Sequence, residues 1–446
     1  MKNIRFFLLS VCTILISAGG VAGSGDLHVW SDSEMKELRN LWLGSLPPLP
    51  KDASNIYDDN PRAAELGRKF FFDNRFSGNL KVSCATCHQP DMNFTDILPV
   101  AHGIGTSTKR TMSLIGVAYN SWLFWDGRKD SLWSQALGPI ENPLEHGFTR
   151  TRCAAVITGH YRKEYEEIFG RMPELSLKDL PPTARPSAED PAALKKWIFM
   201  PRTQQDQVNR IYANMGKAIG AFVRTIVPTE SRFDRYIEAL RKGDGEQAAN
   251  ILSPEELKGL RLFIGKAKCT NCHNGPLFTD GDFHNIHLPE SSRFPADKGR
   301  SDAISKVLFD EFNCASIYSD TGVADCSELR FMDTDMNKYA GAFKTPTLRN
   351  VTERPPYMHA GQFSTLRKVL EFYRGLPQEQ RTPELEHAAL SDEELGQIEA
   401  FLSALSAPLS YFGPNAAEPA GRQTKNSPSG GESTAPLAKP GTERAE

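Results

Sequence analysis

Past its first residues the chain has no apolar run approaching the about 18 residues that a membrane-spanning helix needs, which argues against a membrane-spanning protein. It has no excess of one charge either. With 52 Lys and Arg against 55 Asp and Glu, a net charge of -3, no overall field directs it to nucleic acid or to an anionic membrane surface. Strand signals are scarce throughout, so a sheet-based core is not expected. The one early apolar run, Phe6 to Ala18, is too short to span a bilayer. Lys2 and Arg5 precede it and Val21-Ala22-Gly23 follows, so residues 1–23 read as an export signal and are set apart from the fold. No cysteine suited to lipidation stands just after the cleavage site, because Cys12 lies inside the apolar run.

What is present is a repeated motif. Cys84, Cys87 and His88 form C-x-x-C-H, and Cys269, Cys272 and His273 form it again 185 positions later (273 minus 88). This is the attachment signature of a c-type haem, in which two thiols add to the porphyrin and the following imidazole reaches the iron. Two sites imply two covalently bound haem c groups. A four-cysteine zinc site is the competing reading, but zinc ribbons usually space their pairs by about 15 to 20 residues and need no His after each pair. A thioredoxin-like motif would not require the His twice. Of the other cysteines, an oxidising compartment favours pairing Cys314 with Cys326. Cys153 is then left as a buried small apolar residue or a reactive thiol.

In chain order, Ala63 to Phe72 reads as a short helix leading to the first motif. Residues 89–149 are rich in Gly, Pro, Asn and Asp and read as turns wrapped around a flat cofactor, with Trp122, Phe124, Trp125 and Trp133 among them. Residues 172–203 are Pro-rich and read as an exposed insert. Apolar spacing predicts a helix over 204–226, ended by Pro228. Ser253-Pro254-Glu255-Glu256 is a capping box that opens a helix running to Cys269. Thr365 to Tyr373 and Asp392 to Leu405 are two more helices, the latter capped by Ser391 and Glu394. Residues 414–446 read as a disordered tail.

The run WLFWDGRKDSLWSQALGPIENPLEHG, with FKTPTLRNV, PPYMHAG and STLRKVLEFY, resembles the bacterial di-haem cytochrome c peroxidase family, including its MauG branch. The likeness covers about residues 60–410. It implies an all-α fold of two cytochrome c-like domains, 24–235 carrying the peroxidatic haem and 236–413 carrying the electron-transfer haem. It implies Gln135 and Glu145 as polar groups over the first haem, with Pro139 lining the same pocket and Trp125 bridging the two haems. A buried carboxylate with a raised pKa suits a group that takes a proton from one peroxide oxygen and gives it to the other.

The family's R-N-x-P run is here Arg110-Thr111-Met112-Ser113, so Thr111 stands where an Asn would help hold calcium; main-chain carbonyls at Arg354 and Pro356 are the other calcium contacts implied. Glu-Met-Gly is here Glu145-His146-Gly147, and His-Asp-Gly is His359-Ala360-Gly361. His102 falls where some peroxidases carry a loop His that blocks the first haem, or is a surface His.

Fourteen residues after His359, where the peroxidase branch carries Met, stands Tyr373, as in the MauG branch. A phenolate sixth ligand stabilises oxidised iron, whereas Met raises the potential. The resemblance thus implies a periplasmic peroxidase that reduces hydrogen peroxide at the His88 haem and draws electrons through the His273/Tyr373 haem, with long-range oxidation of a protein partner. Two alternatives stand beside it: peroxide scavenging with a small cytochrome or copper-protein donor, and a non-catalytic di-haem electron carrier.

Overall fold

Each haem motif is preceded by a helix built in the same way. Pro61–Phe72 starts at Asn60, whose side chain accepts from the amides of Arg62 and Ala63, and Pro61 takes the first helical position. Pro254–Ile264 starts at the expected Ser253/Glu256 capping box, again with Pro first. Both then cross a partner helix at a glycine. A Cβ on Gly67 would sit 1.8 Å from the carbonyl oxygen of Ala218 in the helix Arg202–Val223, and one on Gly259 would sit 1.9 Å from that of Gln397 in the helix Asp392–Ser403. Any side chain at either position would force the helices apart.

The computed structural model describes residues 26–289, 297–385 and 389–412. The export signal and the 414–446 tail fall outside the described residues. The molecule is mostly helical, and the described strands are a two-residue antiparallel pair, Phe283–His284 with Phe343–Lys344. No described helix is long and apolar enough to cross a membrane.

Two apolar cores form around the two helix crossings. Phe70, Phe71, Phe94, Trp133, Leu137 and Phe222 belong to the first; Phe233, Leu260, Phe263, Phe278, Phe401 and Leu402 belong to the second. Chain order is not strictly followed. Leu38 and Leu41, from the helix Asp32–Leu41, pack in the second core, while Phe312 and Tyr318 pack in the first. Cys314 and Cys326 do form a disulfide, and its loop is fastened to the first core by an ion pair of 2.6 Å between Lys217 and Asp320.

Two stretches differ from the sequence reading. Residues 89–149 are largely irregular but contain the helix Leu132–Glu141, capped by Ser131 and burying Trp133, Ala136, Leu137 and Ile140 with Pro139 inside it. Residues 172–203 are not simply exposed: Met172, Ala184, Trp197 and Met200 are buried in the first core, and Pro191–Ile198 is a helix. The carbonyls of Pro182 and Ala184 accept from the Thr149 and Thr151 hydroxyls, which fastens this segment down. The helix expected to run to Cys269 stops at Ile264, where Gly265 ends it, and the other expected helices are present with bounds within a few residues.

Candidate functional site

His88 and His273 are oriented identically. Nδ1 of His88 lies 3.0 Å from the Phe94 carbonyl, and Nδ1 of His273 lies 2.9 Å from the Phe278 carbonyl. Donation from Nδ1 leaves Nε2 as the unprotonated nitrogen, which is the form that binds iron. Phe94 and Phe278 adopt left-handed backbone conformations, φ 51° and 53°, which turn their carbonyls toward the imidazoles. These two acceptors were missed from sequence, although a signal existed: Phe-Thr-Asp occurs at 94–96 and again at 278–280, just after each motif. The residues present therefore fit a c-type haem at each site, with both thiols, an oriented imidazole and a second partner holding it.

The duplication goes further. Thr95 donates to the Thr111 carbonyl and Thr279 to the Thr345 carbonyl, both at 2.7 Å. Ser113 and Thr347 likewise close onto the carbonyls of Asn93 and Leu277, at 2.7 and 2.6 Å. These contacts align Arg110-Thr111-Met112-Ser113-Leu114 with Lys344-Thr345-Pro346-Thr347-Leu348, an offset of 234 positions (344 minus 110). At the same offset the bridge Leu123/Lys129 matches Tyr357/Phe363, and Phe124 matches Met358, both at φ 69°. The halves interlock reciprocally. The Arg110 amide donates to the His359 carbonyl and the Lys344 amide to the Trp125 carbonyl, both at 2.8 Å.

Between these segments lies an unfilled space of about 1420 Å³, partly open to solvent. His88, Cys87, Trp125, Gln135, Pro139 and Glu145 all line it. A smaller neighbouring space adds Cys84 and shares His88, Gln135, Pro139 and Glu145. Gln135 and Pro139, four apart on Leu132–Glu141, share one helix face toward the imidazole. Glu145 follows in the turn after that helix and accepts from Asn142 Nδ2 at 2.6 Å. Burial pushes its carboxyl up, against the opposing pull of Arg128 and of that hydrogen bond. The indole of Trp125 is buried and donates from Nε1 to the Arg110 carbonyl at 2.9 Å.

Tyr373 is half-buried on the helix Leu366–Arg374. Burial raises its phenol, and the nearby Cys272 and Cys269 raise it further. Tyr373 thus lies near the second C-x-x-C-H motif, and Glu145 lines the space beside the first.

The remaining candidates sort by geometry. Thr111, Arg354 and Pro356 line the same cavity, but Thr111 is engaged: its hydroxyl donates to Asp96 Oδ2 at 2.6 Å, and its carbonyl accepts from Thr95 and Arg110. His102 is exposed and not among the residues lining either space. His146, beside Glu145, is buried with Nδ1 2.9 Å from the Phe76 carbonyl, and burial lowers its pKa to about 4, so it stays neutral. Cys153 is fully buried in the first core, where burial drives its thiol well above the usual range.

Comparison with known proteins identifies the family. The sequence profile of the di-haem cytochrome c peroxidase family matches residues 61–242. The chain is 31% identical over 417 residues to the cytochrome-c peroxidase IdrP1 of Denitromonas iodatirespirans, covering 91% of this chain and 94% of that one. It is 29% identical to the methylamine utilization protein MauG of Methylorubrum extorquens, over 78% of this chain and 79% of the other. Its fold matches a crystal structure of a MauG-like protein associated with microbial copper homeostasis, with a TM-score of 0.55, 23% identity, and coverage of 81% of this chain and 95% of that one. The chain belongs to the di-haem cytochrome c peroxidase family and is a peroxidase-type oxidoreductase.

Proposed function

We propose that this protein acts in the periplasm as a di-haem c-type peroxidase, with hydrogen peroxide meeting the His88 site and oxidising equivalents leaving through the His273/Tyr373 site in a MauG-like manner. The observation that carries this is the convergence of His88, Gln135, Pro139, Glu145 and Trp125 on one cavity. When bound through Cys84, Cys87 and His88, and through Cys269, Cys272 and His273, the haems supply the iron that takes peroxide's oxygen and stores the oxidising equivalents. The chain's own residues do the rest.

Glu145 is the acid-base group of the cavity. Its raised pKa lets it accept a proton from the near peroxide oxygen and return it to the far one, so that water leaves. Gln135, on the same cavity wall, offers an amide to orient the peroxide; it has no proton that titrates. Pro139, on the same wall, presents no atom that could ligate iron. Trp125, tied by its indole to Arg110 and by its carbonyl to Lys344, lies where the two halves interlock and provides an aromatic step for charge. Tyr373, near Cys269 and Cys272, would offer its phenol oxygen to the iron of the second haem, and a phenolate ligand would favour oxidised iron. A calcium ion in this cavity would draw on the Arg354 and Pro356 carbonyls and on water, since Thr111 is already engaged.

The reductant is a protein residue oxidised at long range, as Tyr373 in place of Met favours. The scavenging alternative, with a small cytochrome or copper-protein donor, rests on the relatives named cytochrome-c peroxidase. Adding peroxide to the fully oxidised protein separates the two. A long-lived optical change in both haems with slow turnover of cytochrome c supports the MauG-like reading. Rapid turnover that appears only after one-electron reduction overturns it.

A further inference from the structure

The cavity contains a cation with nothing to bind. Lys344 is 3% exposed and lines the space beside Trp125, and its ammonium has no carboxylate, carbonyl or hydroxyl partner among the described residues. Desolvating an isolated ammonium is costly: burial lowers the Lys344 pKa to about 7, and a carboxylate brought beside it would hold the charged form. Other cations around the cavity do not have this character. Lys109 is ion-paired with Asp297 at 2.5 Å and Arg128 with Asp126 at 2.8 Å, while the Arg354 guanidinium donates to the carbonyls of Thr347, Arg349 and Asn350.

The duplicated framework supplies a second, independent observation. Arg110 stands at the position of Lys344 in the other half and is 7% exposed; its Nη1 and Nη2 donate to the Thr111, Asp96 and Pro355 carbonyls, and only its Nε is buried without a partner. Each half thus sets one buried cation, with an unused donor, at the same place behind its haem motif. Glu145 is the one carboxylate among the residues lining the large space, and Asn142 already engages it.

We infer that Lys344 is an anchor for a carboxylate carried by the bound cofactor, a propionate of one of the two haems, and that Arg110 holds the twin position for the other half. This rests on the haem-binding reading above. The pairing neutralises the ammonium once the cofactor is seated, so that the cavity accepts the cofactor's acidic edge and positions it against Trp125. A positive charge held at a propionate also favours the reduced iron, so removing it lowers that haem's midpoint potential.

The test is spectroelectrochemical titration of the full-length Lys344→Gln and Lys344→Arg proteins, with haem content counted first by the pyridine haemochrome method. Wild-type protein with fewer than two haems would sink the haem reading itself. With two haems bound, Lys344→Gln should move one couple negative by at least tenfold in its redox equilibrium, which is 59 mV for one electron. It should also shift the propionate bending band in resonance Raman spectra. The couple that moves identifies which haem donates the carboxylate. Lys344→Arg should keep both couples within threefold of wild type while shifting the band. Two haems with both couples within threefold in Lys344→Gln overturns the inference. Should Lys344→Gln not take up haem, an unshifted band in Lys344→Arg overturns it alone. A wild-type potential that follows added acetate would show a free carboxylate as the ligand and overturn it as well.

Discussion

Glu145→Gln is the perturbation that bears most directly on the chemistry. The substitution keeps the size of the side chain and an oxygen for Asn142 to reach, but removes the group that can carry a proton. General acid-base groups typically contribute about 10²- to 10⁴-fold in rate, or about 3 to 5 kcal/mol at 1.36 kcal/mol per tenfold. The full range is expected here because nothing nearby can substitute. His146 is held by the Phe76 carbonyl with a pKa of about 4, and Gln135 does not titrate. The assay is stopped-flow mixing of the oxidised protein with peroxide, following the Soret band across pH. Because burial raises the Glu145 carboxyl above its ordinary 4.5, the wild-type rate should fall on the acid side at a midpoint above 4.5, as the carboxylate needed to accept the first proton is lost. Glu145→Gln should lack that limb. A misfolded variant is not a confusion. A folded-state pKa raised above the unfolded one means that folding is favoured as pH drops through it, so at neutral pH the ionised Glu145 disfavours the fold and its replacement should not lower Tm. A Gln variant within threefold of wild type, with the same acid limb, would refute the assignment.

Tyr373→Phe should abolish the six-coordinate spectrum of the second haem while leaving cyanide binding at the first unchanged; an unaltered spin-resonance signal would exclude the phenol as ligand. Arg349→Met should cost about 3–5 kcal/mol in thermal or denaturant unfolding, because it removes the one charged partner of the buried Asp234 carboxylate and leaves it the neutral donors of Ser231 and Leu43. Replacing both, as Arg349→Met with Asp234→Leu, should recover most of that loss, and failure to recover would mean that the Arg349 bonds to the Pro276 and Leu41 carbonyls dominate.

Much of this was legible in the chain, and for definable reasons. The two C-x-x-C-H motifs are local chemistry, and the Ser253/Glu256 and Ser391/Glu394 capping boxes are local geometry, so both survived folding unchanged. The helix Leu132–Glu141 was not legible, because Gly138 and Pro139 read as breakers. Tertiary packing overrode them, as Trp133, Leu137 and Ile140 have a core to enter. The buried segment 172–203 was misread for the same reason: its prolines signal turns, but turns can be fastened over a core by Thr149 and Thr151. Twin acceptors at Phe94 and Phe278 were visible in the repeated Phe-Thr-Asp, yet carry meaning only once the left-handed backbone is seen. Where Tyr373 lies relative to Cys269 and Cys272 depends on about a hundred intervening residues, and no spacing rule fixes it.

The duplicated framework gives the proposed difference between the two sites a structural basis. At the offset of 234, Ser131 corresponds to Thr365 and Leu132 to Leu366, and both caps accept from the amide three residues on. Pro139 then corresponds to Tyr373, 29 positions after Arg110 and Lys344 respectively. One half thus places a phenol where the other places a ring with no ligating atom, so on the proposed function a single helical position would decide which haem gains a sixth protein ligand. Pro139→Tyr should therefore convert the first site toward the second. The cavity that Pro139 lines gives the phenol room, and losing the proline restores an amide able to bond within the helix. The assay is cyanide titration of the oxidised protein with spin-state spectroscopy. The expected result is a low-spin first haem and cyanide affinity weakened at least tenfold, about 1.4 kcal/mol. Pro139→Ala, which removes the ring without supplying an oxygen, should bind cyanide as wild type does. If Pro139→Tyr also leaves spin state and cyanide affinity unchanged, the correspondence between the two helices does not extend to the iron. The openness of the first site would then have to come from Gln135 and Glu145 instead.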